Sequence, residues 1–276
     1  MKRLGVLIIM ALCFLMVACT TSDKAESEDI NQQTDVEQRD QGGKEDVNTD
    51  EGEEQESTED ETESEVGNNT EYQSCKGILF SVSQEIEGSV LGDCIVEAML
   101  AQQSGSHIVK DESGIHTTVD FKWDPHFSLA VDNEEFAVIL KEDTGWMKTL
   151  DGRWIQEDPN SNHPEVRMAN TIIQGYRVFA DPRFIAELLG MVNTWTVVGE
   201  EAVPDAEAFT DTAWKLTSDD VIDMQISVIS DFEFWITSDY LGAYFVATGS
   251  AGGISVQTSN TFTQWGDEVD IPDPEQ

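Results

Sequence analysis

From Thr118 to Val131 polar and apolar side chains alternate along the chain, a period of two that constrains it to pair as antiparallel strands. Thr118, Asp120 and Lys122 interleave with Val119, Phe121 and Trp123, and beyond Asp124-Pro125 the alternation returns through Phe127, Leu129 and Val131. Each segment is expected to bury one face and wet the other. Residues 136–140 are apolar at every position, which predicts a strand covered on both sides. Residues 144–150 and 153–156 flank Asp151-Gly152, a dipeptide suited to the positive φ angles of a two-residue hairpin turn.

The same reading extends along the chain. Asp93 is placed to cap a helix whose apolar side carries Ile95, Val96, Met99 and Leu100. Asp181-Pro182 opens a second, with Phe184, Ile185, Leu188, Leu189 and Val192 on its apolar face. Short strands are predicted over 195–198, 209–216, 232–236, 243–248 and 254–258, and another helix around 218–226. Gly249-Ser250-Ala251-Gly252-Gly253 reads as a turn between strands. Helices that interrupt an antiparallel sheet, rather than alternate with parallel strands, define an α+β domain.

The amino terminus carries a different message. Lys2 and Arg3 precede an uncharged apolar run over residues 4–18, the pattern of a secretory signal. The run is shorter than the roughly 20 residues of a bilayer-spanning helix. Leu15-Met16-Val17-Ala18-Cys19 resembles a bacterial lipobox, with Met16 where that pattern prefers Leu. On this reading residues 1–18 are removed and Cys19 becomes the new amino terminus, with a diacylglycerol on its sulfur that holds the protein to a membrane. The alternative is an ordinary signal peptide with a coincidental cysteine, but the small-residue rule of ordinary cleavage also fails at Met16. Cys13 lies in the run and leaves with it. Thr20 and Thr21 carry no Asp of the kind that retains some lipoproteins at an inner membrane.

Residues 19–70 then change character, with 19 acidic side chains against Lys24, Arg39 and Lys44. Too little apolar surface is present to offset chain entropy, so this stretch is expected to be an extended, disordered linker. Its alternative role is an acidic tail that binds a partner or cations. Residues 71–276 hold all seven tryptophans, the composition of one folded domain. Within it 36 acidic residues oppose 10 basic ones, a formal charge of −26 that repels nucleic acid and anionic headgroups.

Catalytic signatures are missing from the sequence. It has no Gly-x-Ser-x-Gly, His-Glu-x-x-His, phosphate-binding glycine loop or calcium-loop spacing, so neither an enzyme, a cofactor nor a metal is implied. His107, His116, His126 and His163 are expected at the surface, His126 with Ser128 on the outer side of its strand. Cys75 and Cys94 are the cysteines of the domain, and in an exported chain such a pair reads first as a disulfide.

Three features together resemble the LolA-like lipoproteins of the LppX/LprG type. They are the lipobox with its linker, the segment from Gly145-Trp146-Met147-Lys148 through Asp151-Gly152-Arg153-Trp154, and the ending Phe262-Thr263-Gln264-Trp265-Gly266-Asp267. Asp181-Pro182 before a Leu-rich helix and Val197-Val198-Gly199-Glu200-Glu201 before a further strand fall between them in the expected order. The resemblance covers roughly residues 94–274 and implies a curved antiparallel β half barrel with helices on its concave side. It also implies an apolar cavity that takes a lipid or a lipidated protein as ligand. The lining would be Phe121, Trp123, Phe127, Leu129, Phe136, Val138 and Leu140, faced by Leu188 and Leu189. A packed core has the same sequence pattern, and a non-enzymatic envelope interaction or sensor module could use the same fold without bound lipid. Export places the protein at the outer face of the cell membrane, or at an outer membrane where one is present.

Overall fold

The computed structural model describes residues 72–274, apart from 113, 115, 134, 135, 180, 181, 225 and 226. The signal, Cys19 and the linker lie outside the described residues, as do Asp181 and the side chains of Phe184 and Ile185.

In chain order the described elements are β1 (Glu85–Glu87), α1 (Gly88–Gln102), β2 (Ser104–Asp111), β3 (His116–Lys122), β4 (Ser128–Asp132), β5 (Ala137–Lys141), β6 (Thr144–Lys148) and β7 (Trp154–Gln156). Then follow α2 (Pro164–Phe179), α3 (Pro182–Met191), β8 (Thr194–Ala202), β9 (Thr212–Ser218), β10 (Ile222–Asp223), β11 (Val228–Ile236), β12 (Gly242–Ala251) and β13 (Ile254–Trp265). They form one 13-stranded antiparallel sheet in the order β1-β8-β9-β11-β12-β13-β2-β3-β4-β5-β6-β7, with β10 pairing β11. The two ends, β1 and β7, do not pair with each other, so the sheet is an open half barrel.

The alternation read in the sequence sets the faces. Val119 and Phe121 of β3 are buried beside Leu129 and Val131 of β4 and Val138 and Leu140 of β5, in register across three strands. Strand β5 is covered on both sides, as its unbroken apolar run requires: Ile139 turns outward and is buried under Val269 and Ile271 of the C-terminal segment.

Other elements depart from the sequence reading. Helix α1 starts at Gly88 after Glu87, so Asp93 is an exposed interior residue and Leu100 is also exposed. Tertiary packing overrides the local cap signal here. A Cβ at Gly88 would lie 1.8 Å from the Val192 carbonyl oxygen, so only glycine lets α1 begin against the end of α3. Where a helix is expected around 218–226, the described residues 219–224 hold the short strand β10 instead, and Phe209 lies in a loop before β9, its N–H donating to the Phe262 carbonyl.

The hairpin at Asp151-Gly152 does not have the expected two-residue turn. At Asp151-Gly152 the Thr149 N–H donates to the Arg153 carbonyl, leaving a three-residue loop with only Gly152 at positive φ, +84°. The two-residue turn falls instead at Gly252-Gly253, with φ of +59° and +82° between the paired Ala251 and Ile254. Strand β2 and helix α2 have no counterpart in the sequence reading. Ser-Gly-Ser-His-Ile-Val-Lys-Asp alternates poorly, whereas α2 carries a legible signal in Pro164 at its start and Ala169, Ile172, Ile173 and Tyr176 at helical spacing.

The N-terminal part of the domain is tied down at several points. Cys75 and Cys94 are joined by a disulfide that fastens it to α1. The Gln73 and Ser74 N–H groups donate to the Glu97 carboxylate at 2.9 and 2.7 Å, and these bonds hold the carboxyl below its ordinary pKa.

Candidate functional site

The helices lie on one face of the sheet and divide its apolar surface in two. One cluster joins α1 and α3 to strands β8, β9 and β11 through Leu91, Ile95, Leu189, Val192, Trp195, Val197, Leu216 and Phe234. The other joins α2 to strands β3–β6 through Ala169 and Ile173 against Val119, Phe121, Leu129, Val138 and Leu140. Between them the face is spanned by aromatic rings. Phe262 stacks on Trp265 with centroids 5.0 Å apart, Trp265 meets Phe121 edge-on at 5.6 Å, and Phe121 meets Trp123 at 4.9 Å. Trp123 and Trp265 are only partly buried and pack against both clusters.

The residues expected to line a cavity are therefore not all brought together. Phe121, Leu129, Val138 and Leu140 are buried in the second cluster, with Trp123, Phe127 and Phe136 partly buried against it. Leu189 is buried in the first cluster and Leu188 packs against it, so the helix facing the strand set is α2 rather than α3. Sequence reasoning could have found this helix, since Ile172, Ile173 and Tyr176 repeat at helical spacing.

One side chain in the aromatic row is a correction. His107 is not a surface histidine. It pairs with Val119 and with Phe262, whose parity turns it toward the helix-bearing face. Its ring lies 5.4 Å from Phe262 and 5.8 Å from Phe121, and its Nδ1 is buried without a hydrogen-bond partner. Burial disfavours the imidazolium and lowers the pKa to about 4, so the ring is neutral at physiological pH. The inward turn is illegible in the sequence because Ser-Gly-Ser-His-Ile-Val-Lys-Asp alternates poorly, and parity has no meaning without a strand signal. His116, His126 and His163 are exposed, but Ser128, expected to point outward to solvent with His126, is buried. Among the described residues no group of three or more His, Cys, Asp or Glu is placed to hold a metal.

Trp123 Nε1 is likewise buried without a partner, on the opposite side of Phe121 from His107. Burial also pushes the Tyr176 hydroxyl of α2 up to about 12.

The charges of the sheet are segregated. The strand lysines Lys110, Lys122, Lys141, Lys148 and Lys215 each sit one residue from a core-facing position, on the opposite parity. Lys110 pairs there with Asp205 at 2.7 Å, Lys141 with Asp273 at 2.6 Å and Lys215 with Glu233 at 3.2 Å. Among the described residues no strand lysine or arginine faces the helices. A separate cleft of about 230 Å³, lined by Glu85, Thr194, Thr196, Thr217, Ser218, Asp219 and Asp220, is polar and lies away from the aromatic row.

No family model matches the chain, and no curated protein matches it. Among solved structures the chain is similar to LppX, a Mycobacterium tuberculosis lipoprotein, at 14% identity and a TM-score of 0.44, over 67% of this chain and 98% of that one. It is also similar to LprF from Mycobacterium bovis, at 13% identity and a TM-score of 0.41, over 67% of this chain and 97% of that one. Both are of the LppX/LprG type that the sequence resembles.

Proposed function

We propose that this protein is a lipid-anchored lipoprotein of the cell envelope that binds or carries an acyl chain in its half barrel. The observation that carries the reading is the row Phe262, Trp265, Phe121 and Trp123, which crosses the helix-bearing face between two apolar clusters and is only partly covered at both tryptophans. An acyl chain laid along this row would leave water at roughly 25 cal/mol per Å² of apolar surface buried. Phe127 and Phe136 extend the lining at one end, and Leu129, Val138 and Leu140 form its floor. Anchoring rests on Lys2, Arg3, the apolar run and Cys19. The outer face of the membrane is where such an anchor leaves the domain, with the acidic linker as the spacer between them.

The test is direct. The full chain carrying Cys19→Ala, recovered from the soluble fraction without detergent, should take up a fluorescent fatty-acyl probe and release acyl lipid into an organic extract read by mass spectrometry. Absence of both would refute the acyl reading. A second reading, an interaction or sensor module without bound lipid, is favoured by one observation: Leu129, Val138 and Leu140 have no exposed surface and pack beside Ala169 and Ile173 of α2. That outcome would leave the parent protein free of lipid.

A further inference from the structure

We propose that His107 and Trp123 form the polar end of the acyl site and select a ligand bearing an uncharged polar group, an ester carbonyl or a hydroxyl, over one with an ionised headgroup. This inference rests on the acyl-binding reading given above.

Two observations lead to it independently. First, two side chains that flank Phe121 in the aromatic row, His107 and Trp123, each carry a buried polar atom without a partner, Nδ1 and Nε1. Buried polar groups are as a rule hydrogen-bonded, because leaving one unmade forfeits its hydration with nothing in return. Other unpartnered indole nitrogens sit elsewhere. Trp195 is fully enclosed beneath α1 and α3, while Trp154 and Trp235 pack in the clusters of the outer face. His107 and Trp123 differ from these in flanking the aromatic row that the helices leave partly open. An indole N–H donates to a carbonyl or hydroxyl oxygen, and a neutral imidazole nitrogen accepts from a hydroxyl or, in the other tautomer, donates to a carbonyl.

Second, among the described residues no strand lysine or arginine of this face offers an anionic headgroup a cation, and Arg177 of α2 is held by Glu157 and the Glu142 carbonyl. A carboxylate or phosphate taken out of water requires a cation or several donors around it. All five strand lysines are on the other face, three of them in ion pairs with Asp205, Asp273 and Glu233. Uncharged donors and acceptors beside apolar rings fit an ester or an alcohol and disfavour a free fatty acid or a phospholipid phosphate.

The experiment compares three fluorescent probes with the same acyl chain, ending in a glycerol ester, a carboxylate or a bare hydrocarbon, on the full chain with Cys19→Ala. The ester probe is expected to bind about tenfold tighter than either other probe, the effect of one satisfied buried polar contact. His107→Phe and Trp123→Phe should each bring the ratio of ester to hydrocarbon binding toward one, and retained binding of the hydrocarbon probe reports that the variants fold. If a variant does not fold, the ester-to-carboxylate ratio of the parent decides alone. Equal binding of ester and carboxylate, or variants that keep the ester preference, overturns this inference while the acyl reading stands. No binding of any probe overturns both.

Discussion

At the scale of single residues, burial decides chemistry more than residue type does. His107 keeps a neutral ring because its surroundings disfavour the charge, with a folded pKa of about 4 against an ordinary value of 6.5. Between those values the unfolded chain binds a proton that the folded chain refuses, so stability is full above pH 6.5 and falls as the pH drops toward 4. The loss amounts to roughly 2 to 3 kcal/mol at this one site. Denaturant melts of the parent and of His107→Phe at pH 7 and pH 4.5 should show a smaller acid loss in the variant; equal losses would mean the ring takes its proton in the folded state. Cys75 and Cys94 act differently, by tying a separation of 19 residues in the chain. Loop closure of this size stabilises by about 3 kcal/mol. Thiol titration of the unfolded, unreduced protein should find neither thiol free, and Cys75→Ser with Cys94→Ser should lower the unfolding free energy by about that amount.

At the scale of elements, helix α2 is the instructive case. Its outer end is fixed by polar contacts, with Arg177 paired to Glu157, Gln174 Nε2 donating to the same carboxylate at 3.0 Å and Asn170 Nδ2 donating to the Asp158 carbonyl at 2.8 Å. Its inner side presses Ile173 onto β6 so closely that a Cβ at Gly145 would lie 2.3 Å from the Ile173 Cγ2. Gly145→Ala should therefore destabilise by about 1 to 3 kcal/mol through overpacking. In an Ile173→Ala background the same change should cost clearly less, because the nearest methyl is gone and only Leu140 Cδ2 at 3.0 Å and Glu157 Oε1 at 3.3 Å remain close. Additive costs in that double-mutant cycle would show that the contact is not the cause. The sequence carried part of this element in the spacing of Ile172, Ile173 and Tyr176, but not its neighbour, since Gly145 is far from it along the chain.

At the scale of the whole molecule, the two faces of the sheet have opposite character. Lysines and their acidic partners occupy the outer face, under the C-terminal segment and the loop at 203–211, while aromatic rings and helices occupy the other. A formal charge of −26 on the domain disfavours anionic membrane surfaces, so the proposed residence at a membrane would rest on the covalent anchor. Mature protein from its own membrane should begin at Cys19 and carry a diacylglycerol on sulfur, as read by intact mass, and Cys19→Ala should shift it to the soluble fraction. An unmodified cysteine in the membrane-bound protein would remove the anchor from this account.

What the sequence determined by itself was whatever a local period can encode. Alternation over residues 118–131 set which side chains of β3 and β4 share a face, the unbroken run at 136–140 announced a doubly covered strand, and the glycine-rich stretch 249–253 marked a turn that the structure narrows to 252 and 253, residues 249–251 lying in β12. Tertiary structure alone decided the pairing of β13 with β2, which brings Phe262 beside His107 across a sequence separation of 155 residues. It also decided that α2, rather than α3, covers Leu129, Val138 and Leu140, and that α1 begins at Gly88 rather than at Asp93. The reason is physical: period reports how a segment divides into faces, but which face is inside, and against what, is fixed by contacts between segments distant in the chain, where packing outweighs local propensity.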